Sequence, residues 1–204
     1  MQSHRTHIKA GQKLQWALCF FLLSPVALSA DSKWAWMVEP SFMDYKVRER
    51  VEGSERTILA LVRLNDGEIF GAEGGHPGTL TMASKEISRE AAGTAKEVFE
   101  SLQPNYVRDK NGVIKYAALE SSNPLTASAV LAPGFAERFA ATLGPDLLVA
   151  LPNRFQILVF SRQDQAFQQM GESIISGYLS SNYPVSREIF ALDNGKLTSL
   201  GVLK

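Results

Sequence analysis

Fourteen consecutive residues, Leu147-Leu-Val-Ala-Leu-Pro-Asn-Arg-Phe-Gln-Ile-Leu-Val-Phe160, constrain this chain more than any others. Two apolar runs enclose a single break at Pro152-Asn153-Arg154. Proline lacks the N–H that a ladder needs, and asparagine tolerates the left-handed backbone of a tight turn. The stretch predicts a hairpin. Because the first run is apolar at every position, its strand is expected to be buried on both faces, at the centre of a sheet.

The surrounding sequence repeats the theme. Thr57–Leu64 and Glu68–Ala72 flank Asn65-Asp66-Gly67, and Tyr106–Arg108 and Val113–Leu119 flank Lys110-Asn111-Gly112. Glu188–Leu192 and Lys196–Leu200 flank Asp193-Asn194-Gly195. Each is a strand pair around an Asn/Asp-Gly turn. Between them, Ile87, Ala91, Ala95, Val98 and Leu102 form one helical stripe over Thr81–Leu102, stopped by Pro104. A second helix follows Asn123-Pro124, carries Leu131, Phe135 and Phe139, kinks or restarts at Pro133-Gly134 and ends at Gly144-Pro145. A third, introduced by a capping pair at Ser161 and Asp164, carries Phe167, Met170, Ile174 and Tyr178. Phe42–Arg50 suggests a short amphipathic helix. The expected fold is α+β, with antiparallel hairpins alternating with three main helices that pack mainly on one sheet face. Residues 31–204 are expected to form one domain, with possible halves 57–120 and 121–204.

The region Ala127 to Leu200 resembles a bacterial family of unknown function, the YtpQ type. The likeness rests on Thr142-Leu-Gly144, Asp146-Leu-Leu-Val-Ala-Leu-Pro-Asn-Arg154, Ile157-Leu-Val-Phe160, Tyr183-Pro-Val-Ser-Arg-Glu-Ile-Phe190 and Asp193-Asn-Gly-Lys196. It implies a fold and a landmark; no activity comes with it.

The first thirty residues have the pattern of a signal peptide. Arg5, Lys9 and Lys13 precede an apolar run from Leu14 to Leu28, and Ala27-Leu28-Ser29-Ala30 offers small residues for cleavage after Ser29 or Ala30. Pro25 interrupts the run, which is shorter than the roughly 20 residues a spanning helix needs. Export to a periplasmic or secreted setting is expected, with no stable membrane insertion after cleavage. Three of the 21 basic residues leave with this segment, so the remainder is mildly acidic, 18 against 21. That balance does not suit a nucleic-acid binder. Cys19 is the single cysteine, so the mature chain has neither a thiol nucleophile nor a disulfide.

No catalytic constellation stands out. His76, in Glu73-Gly-Gly-His-Pro-Gly78, is the one histidine beyond the signal segment. A transition-metal site would need at least two further ligands, for which Glu68 and Glu73 are nearest in sequence, and no metal or cofactor is expected. His76 could serve as the base of an envelope hydrolase with Ser84 or Ser161 and Asp164, but no Gly-x-Ser-x-Gly elbow supports it. Arg154 has two readings: a guanidinium displayed to a carboxylate or a partner surface, or a clamp on helix carbonyls or a nearby acid. The sequence therefore points to a non-catalytic binding or interaction module for an unknown protein or small molecule, with Asn153, Arg154 and His76 as candidate binding residues.

Overall fold

The computed structural model describes residues 32–73, 80–164, 166–193 and 195–204, with backbone alone at 80–84 and 166–167. Residues 1–31, where a signal peptide is expected, His76, Asn194 and the side chains of Ser84 and Phe167 lie outside the described residues. Asp31–Lys204 form one compact unit. The fold is α+β, built on two antiparallel sheets.

The smaller sheet centres on β3 (Thr57–Asn65). One edge of β3 pairs with β1 (Lys33–Pro40), placing Trp36 opposite Leu61 and Val38 opposite Leu59. The other edge is shared by β2 (Arg48–Arg50) and β4 (Glu68–Gly71). Asp66 and Gly67 join β3 to β4 with φ of 50° and 82°, the left-handed pair that a two-residue turn requires. The short helix expected over Phe42–Arg50 is not formed. β4 covers only the Val62–Asn65 end of that edge, and Ile58–Ala60 takes Arg48–Arg50 as its partner. Pairing with an open edge outweighs the weak helical pattern of so short a stretch.

After β4 comes α1 (Leu80–Ser101), matching the stripe read from its sequence. The six-stranded sheet has the order β10-β9-β7-β8-β6-β5. These strands are β5 (Asn105–Arg108), β6 (Ile114–Glu120), β7 (Leu147–Ala150), β8 (Gln156–Ser161), β9 (Glu188–Asp193) and β10 (Lys196–Val202). The apolar hairpin supplies its two central strands. Val149 faces Val159 on one side and Phe190 on the other. Strands from 105–120 and from 147–202 thus share one sheet.

All four β7 residues are buried, and their side chains alternate between two cores. Leu147 and Val149 join Ile157, Val159, Phe190, Phe135 and Phe139 in the larger one, which also takes in Met37 of β1 and Val98 and Phe99 of α1. Leu148 and Ala150 join Leu158, Phe160, Ile174 and Ile189 in the smaller. Helix α2 (Phe135–Leu143) therefore belongs to one face and α4 (Gly171–Leu179) to the other. Two of the three main helices, α1 and α2, thus pack into the larger core, and α4 covers the opposite face. Strands apolar on both sides need cover on both.

Two helix boundaries also differ from expectation. Asn123 accepts the Leu125 N–H through Oδ1, but the turn it starts becomes a 3-10 helix at Ala127–Leu131. Ala132 is extended, with ψ of 139°, before α2 begins at Phe135. Pro133 drives its predecessor out of the helical region, so the chain breaks rather than bends. The helix expected to carry Met170, Ile174 and Tyr178 comes in two pieces. Ser161 ends β8, Asp164 binds Lys115 at 3.0 Å, and helix resumes only at α3 (Ala166–Gln169) before α4.

Candidate functional site

Asn153 shapes the loop between β7 and β8 from within. Its Oδ1 accepts the Phe155 N–H at 3.0 Å, and its Nδ2 donates to the Gly177 carbonyl at 3.4 Å. Because Pro152 ends the ladder, the loop backbone finds partners in the 183–186 segment. Arg154 N–H donates to Tyr183 O (3.1 Å), while Val185 N–H and Ser186 N–H donate to Pro152 O and Leu151 O (each 3.0 Å).

Arg154 turns inward. Its Nε and Nη2 donate to the two oxygens of Glu39 at 2.7 and 2.9 Å, a bidentate pair. The Arg154 side chain is 14% exposed and that of Glu39 1%. The guanidinium carbon also lies 5.3 Å from the Tyr183 ring centroid. Burial pushes the Glu39 carboxyl above its ordinary value, against the pull of Arg154. Burial opposes the charge on Arg154 as well, but Glu39 and Tyr45 hold its pKa above the usual arginine value. Of the two roles read for Arg154, the geometry describes the clamp on a nearby acid. The sequence signal for that acid was parity: Glu39 follows Ala35 and Met37 on the buried side of β1.

Several concavities occur among the described residues, and two of them differ most clearly in what their polar groups are doing. The first, about 380 Å³, lies beside β2 and is lined by Ser41, Arg48, Arg50, Ser54 and Thr57. Its hydroxyl protons are already committed. Ser41 donates to Glu55 O, and Ser54 and Thr57 donate to Glu188, whose carboxylate is buried and also takes the hydroxyls of Ser186 and Ser199. Ser54 Oγ further accepts the N–H groups of Arg56 and Thr57. This cluster ties Ser54 and Thr57 to β9 and β10.

The second concavity, about 660 Å³, sits at the tip of the apolar hairpin. Asn153, Phe155, Gln156, Glu120, Ser121, Gly177, Ser180 and Ser181 line it. Asn153 is part of this groove and Arg154 is not. Here hydrogen-bonding capacity is left over. Gln156 Nε2 donates to Glu120 Oε1 at 2.6 Å, leaving the second amide N–H, the Gln156 side-chain carbonyl and Glu120 Oε2 without partners among the described residues. Ser121 and Ser181 each accept a backbone N–H, from Asn123 and Tyr183, and their own hydroxyl protons meet no acceptor among the described residues, whereas Ser180 donates to Ser176 O. Tyr183, half exposed, meets Phe155 edge-on at 5.7 Å beside the groove.

Of the residues considered for a hydrolase, Ser161 and Asp164 share a separate cleft, where Asp164 is paired with Lys115. No cluster of three or more His, Cys, Asp or Glu suited to a metal occurs among the described residues. No described helix is long and apolar enough to cross a membrane. Comparison with protein families, curated proteins and solved structures finds no match for this chain.

Proposed function

We propose that this chain is an exported, non-catalytic binding module whose ligand sits in the groove at the tip of the β7–β8 hairpin. The observation that carries the reading is the contrast between the two concavities. Beside β2 the hydroxyls serve the interior; around Asn153 they face a groove with donors and acceptors to spare. These groups are open to water in the free chain, and a ligand with matching donors and acceptors can take the place of that water. The scaffold suits the role, because the groove rests on the two most buried strands of the sheet and on a loop clamped by Arg154.

Export is part of the same proposal: residues 1–29 or 1–30 are removed by cleavage after Ser29 or Ala30. Mass spectrometry of the exported protein should find Ala30 or Asp31 at its N-terminus; an intact Met1 in the membrane fraction would refute this.

Binding is tested by thermal shift against a chemically broad panel of metabolites, peptides and oligosaccharides. Ser180→Trp serves as the occluded control, because Ser180 is exposed and lines the groove. At least one class should raise the Tm of the wild type and not that of the variant. A panel that shifts neither, or both equally, argues against a binding module built on this groove.

A further inference from the structure

Resting on that reading, we infer that the groove takes a neutral, polyhydroxylated ligand, a saccharide in chemical class. The leftover groups decide the class. Around the groove, donors (the Ser121 and Ser181 hydroxyls and the second amide protons of Asn153 and Gln156) are mixed with acceptors (Glu120 Oε2 and the Gln156 carbonyl). A sugar hydroxyl donates and accepts at once, so adjacent hydroxyls match an array of mixed sign. A phosphate or carboxylate offers acceptors alone and would meet the Glu120 charge with no cation lining the groove. An apolar ligand would leave the same polar groups unsatisfied.

The aromatic pair supplies the rest. A pyranose ring has a face of C–H bonds, which are attracted to the electron-rich face of an aromatic ring. Phe155 lines the groove, and Tyr183, held against it at 87° between ring planes, keeps half its surface in solvent. A Cβ at Gly177 would make ordinary contacts with Pro152 Cβ at 3.4 Å and Gln156 Oε1 at 3.5 Å, so this part of the lining is bare backbone beside one of the acceptors assigned to the ligand.

The test uses protein produced from the full-length chain and three uncharged tetrasaccharides: a β-1,4-glucan, an α-1,4-glucan and a β-1,4-linked N-acetylglucosamine oligomer. Saturation-transfer NMR and calorimetry are run on wild type, Gln156→Ala, Glu120→Ala and Ser180→Trp. At least one sugar should bind the wild type, with about tenfold weaker affinity in Gln156→Ala and Glu120→Ala and none in Ser180→Trp. Both alanine sites are partly exposed, so their melting temperatures report whether the fold is intact. Sugar binding that all three variants retain would place the sugar elsewhere and overturn the inference. If no tetrasaccharide binds while a peptide or charged metabolite binds in a Ser180→Trp-sensitive way, the saccharide class is wrong but the binding module stands. If nothing binds the groove, both fall.

Discussion

Arg154 and Glu39 show how one pair of side chains can hold a loop that would otherwise depend on a three-residue turn. Removing the arginine leaves a buried carboxylate without its counter-charge, and Arg154→Ala should lose ~3–5 kcal/mol in chemical denaturation. Replacing both members with apolar residues of similar volume, Glu39→Leu with Arg154→Met, should recover most of that loss. A double variant no more stable than Arg154→Ala would show that the loop needs the guanidinium itself. Glu39 also sets a pH dependence. Burial raises its carboxyl above 4.5 in the folded chain, so the native state holds that proton to a higher pH than the unfolded state does. Its contribution to stability is complete below pH 4.5 and is lost as pH rises through the raised value. The stability of the wild type minus that of Glu39→Gln should therefore fall as pH rises above 4.5. A difference that stays flat or grows would contradict this. Asn153 was readable as a turn former from its type, although it shapes the turn through Oδ1 and not through the left-handed backbone expected of it. The acid beneath Arg154 was not, because Glu39 is 115 residues away in sequence.

At the scale of elements, α4 forms where a helical stripe was expected and supplies the cover for the second face of the large sheet. Ile174 is fully buried there against Leu148, Leu158 and Phe160. Ile174→Ala should cost ~2–5 kcal/mol, as truncation in a well-packed core does. A loss under ~1 kcal/mol on urea titration would mean that α4 is not a packed layer. Helix α1 shows another dependence on distant chain. It has no basic residue in its last turn, and Arg138 of α2 reaches across to donate to Phe99 O at 3.5 Å and Leu102 O at 3.2 Å. The stripe of α1 was legible because a 22-residue helix repeats its period several times. Three-residue β2 repeats nothing, and only the open edge of β3 makes it a strand. The outer edge of β1 is guarded in turn: Glu90 accepts the Trp34 N–H and Ser128 Oγ accepts the Val38 N–H. Such contacts blunt an edge that would otherwise invite pairing with another chain.

Across the whole molecule, the two sheets meet where Glu52 bridges to Thr198 and accepts the Ser199 N–H at 2.8 Å. Gly53 makes the approach possible. Its φ is +72°, and a Cβ would lie 2.8 Å from the Ser199 carbonyl oxygen. Gly53→Ala should destabilise the chain by ~1–3 kcal/mol through backbone strain and that clash. A melting temperature equal to wild type would show that the junction can yield. Just behind it, Glu188 gathers the hydroxyls of Ser54, Thr57, Ser186 and Ser199. Glu188→Leu orphans several buried donors and should cost at least ~3 kcal/mol, read as a loss of stability by denaturation.

What the sequence determined by itself was local: the hairpins, the α1 stripe, the α+β class and the placing of the apolar pair at the centre of the sheet. These follow from periodicity and turn chemistry, which neighbouring residues carry among themselves. The tertiary structure decided the rest. It brought Glu39 under Arg154, wrapped four hydroxyls around Glu188, put α4 on the second face, and left Asn153, rather than Arg154, on the rim of a groove. Each depends on which distant segment fills a vacancy left by another, a long-range pairing that no local pattern encodes.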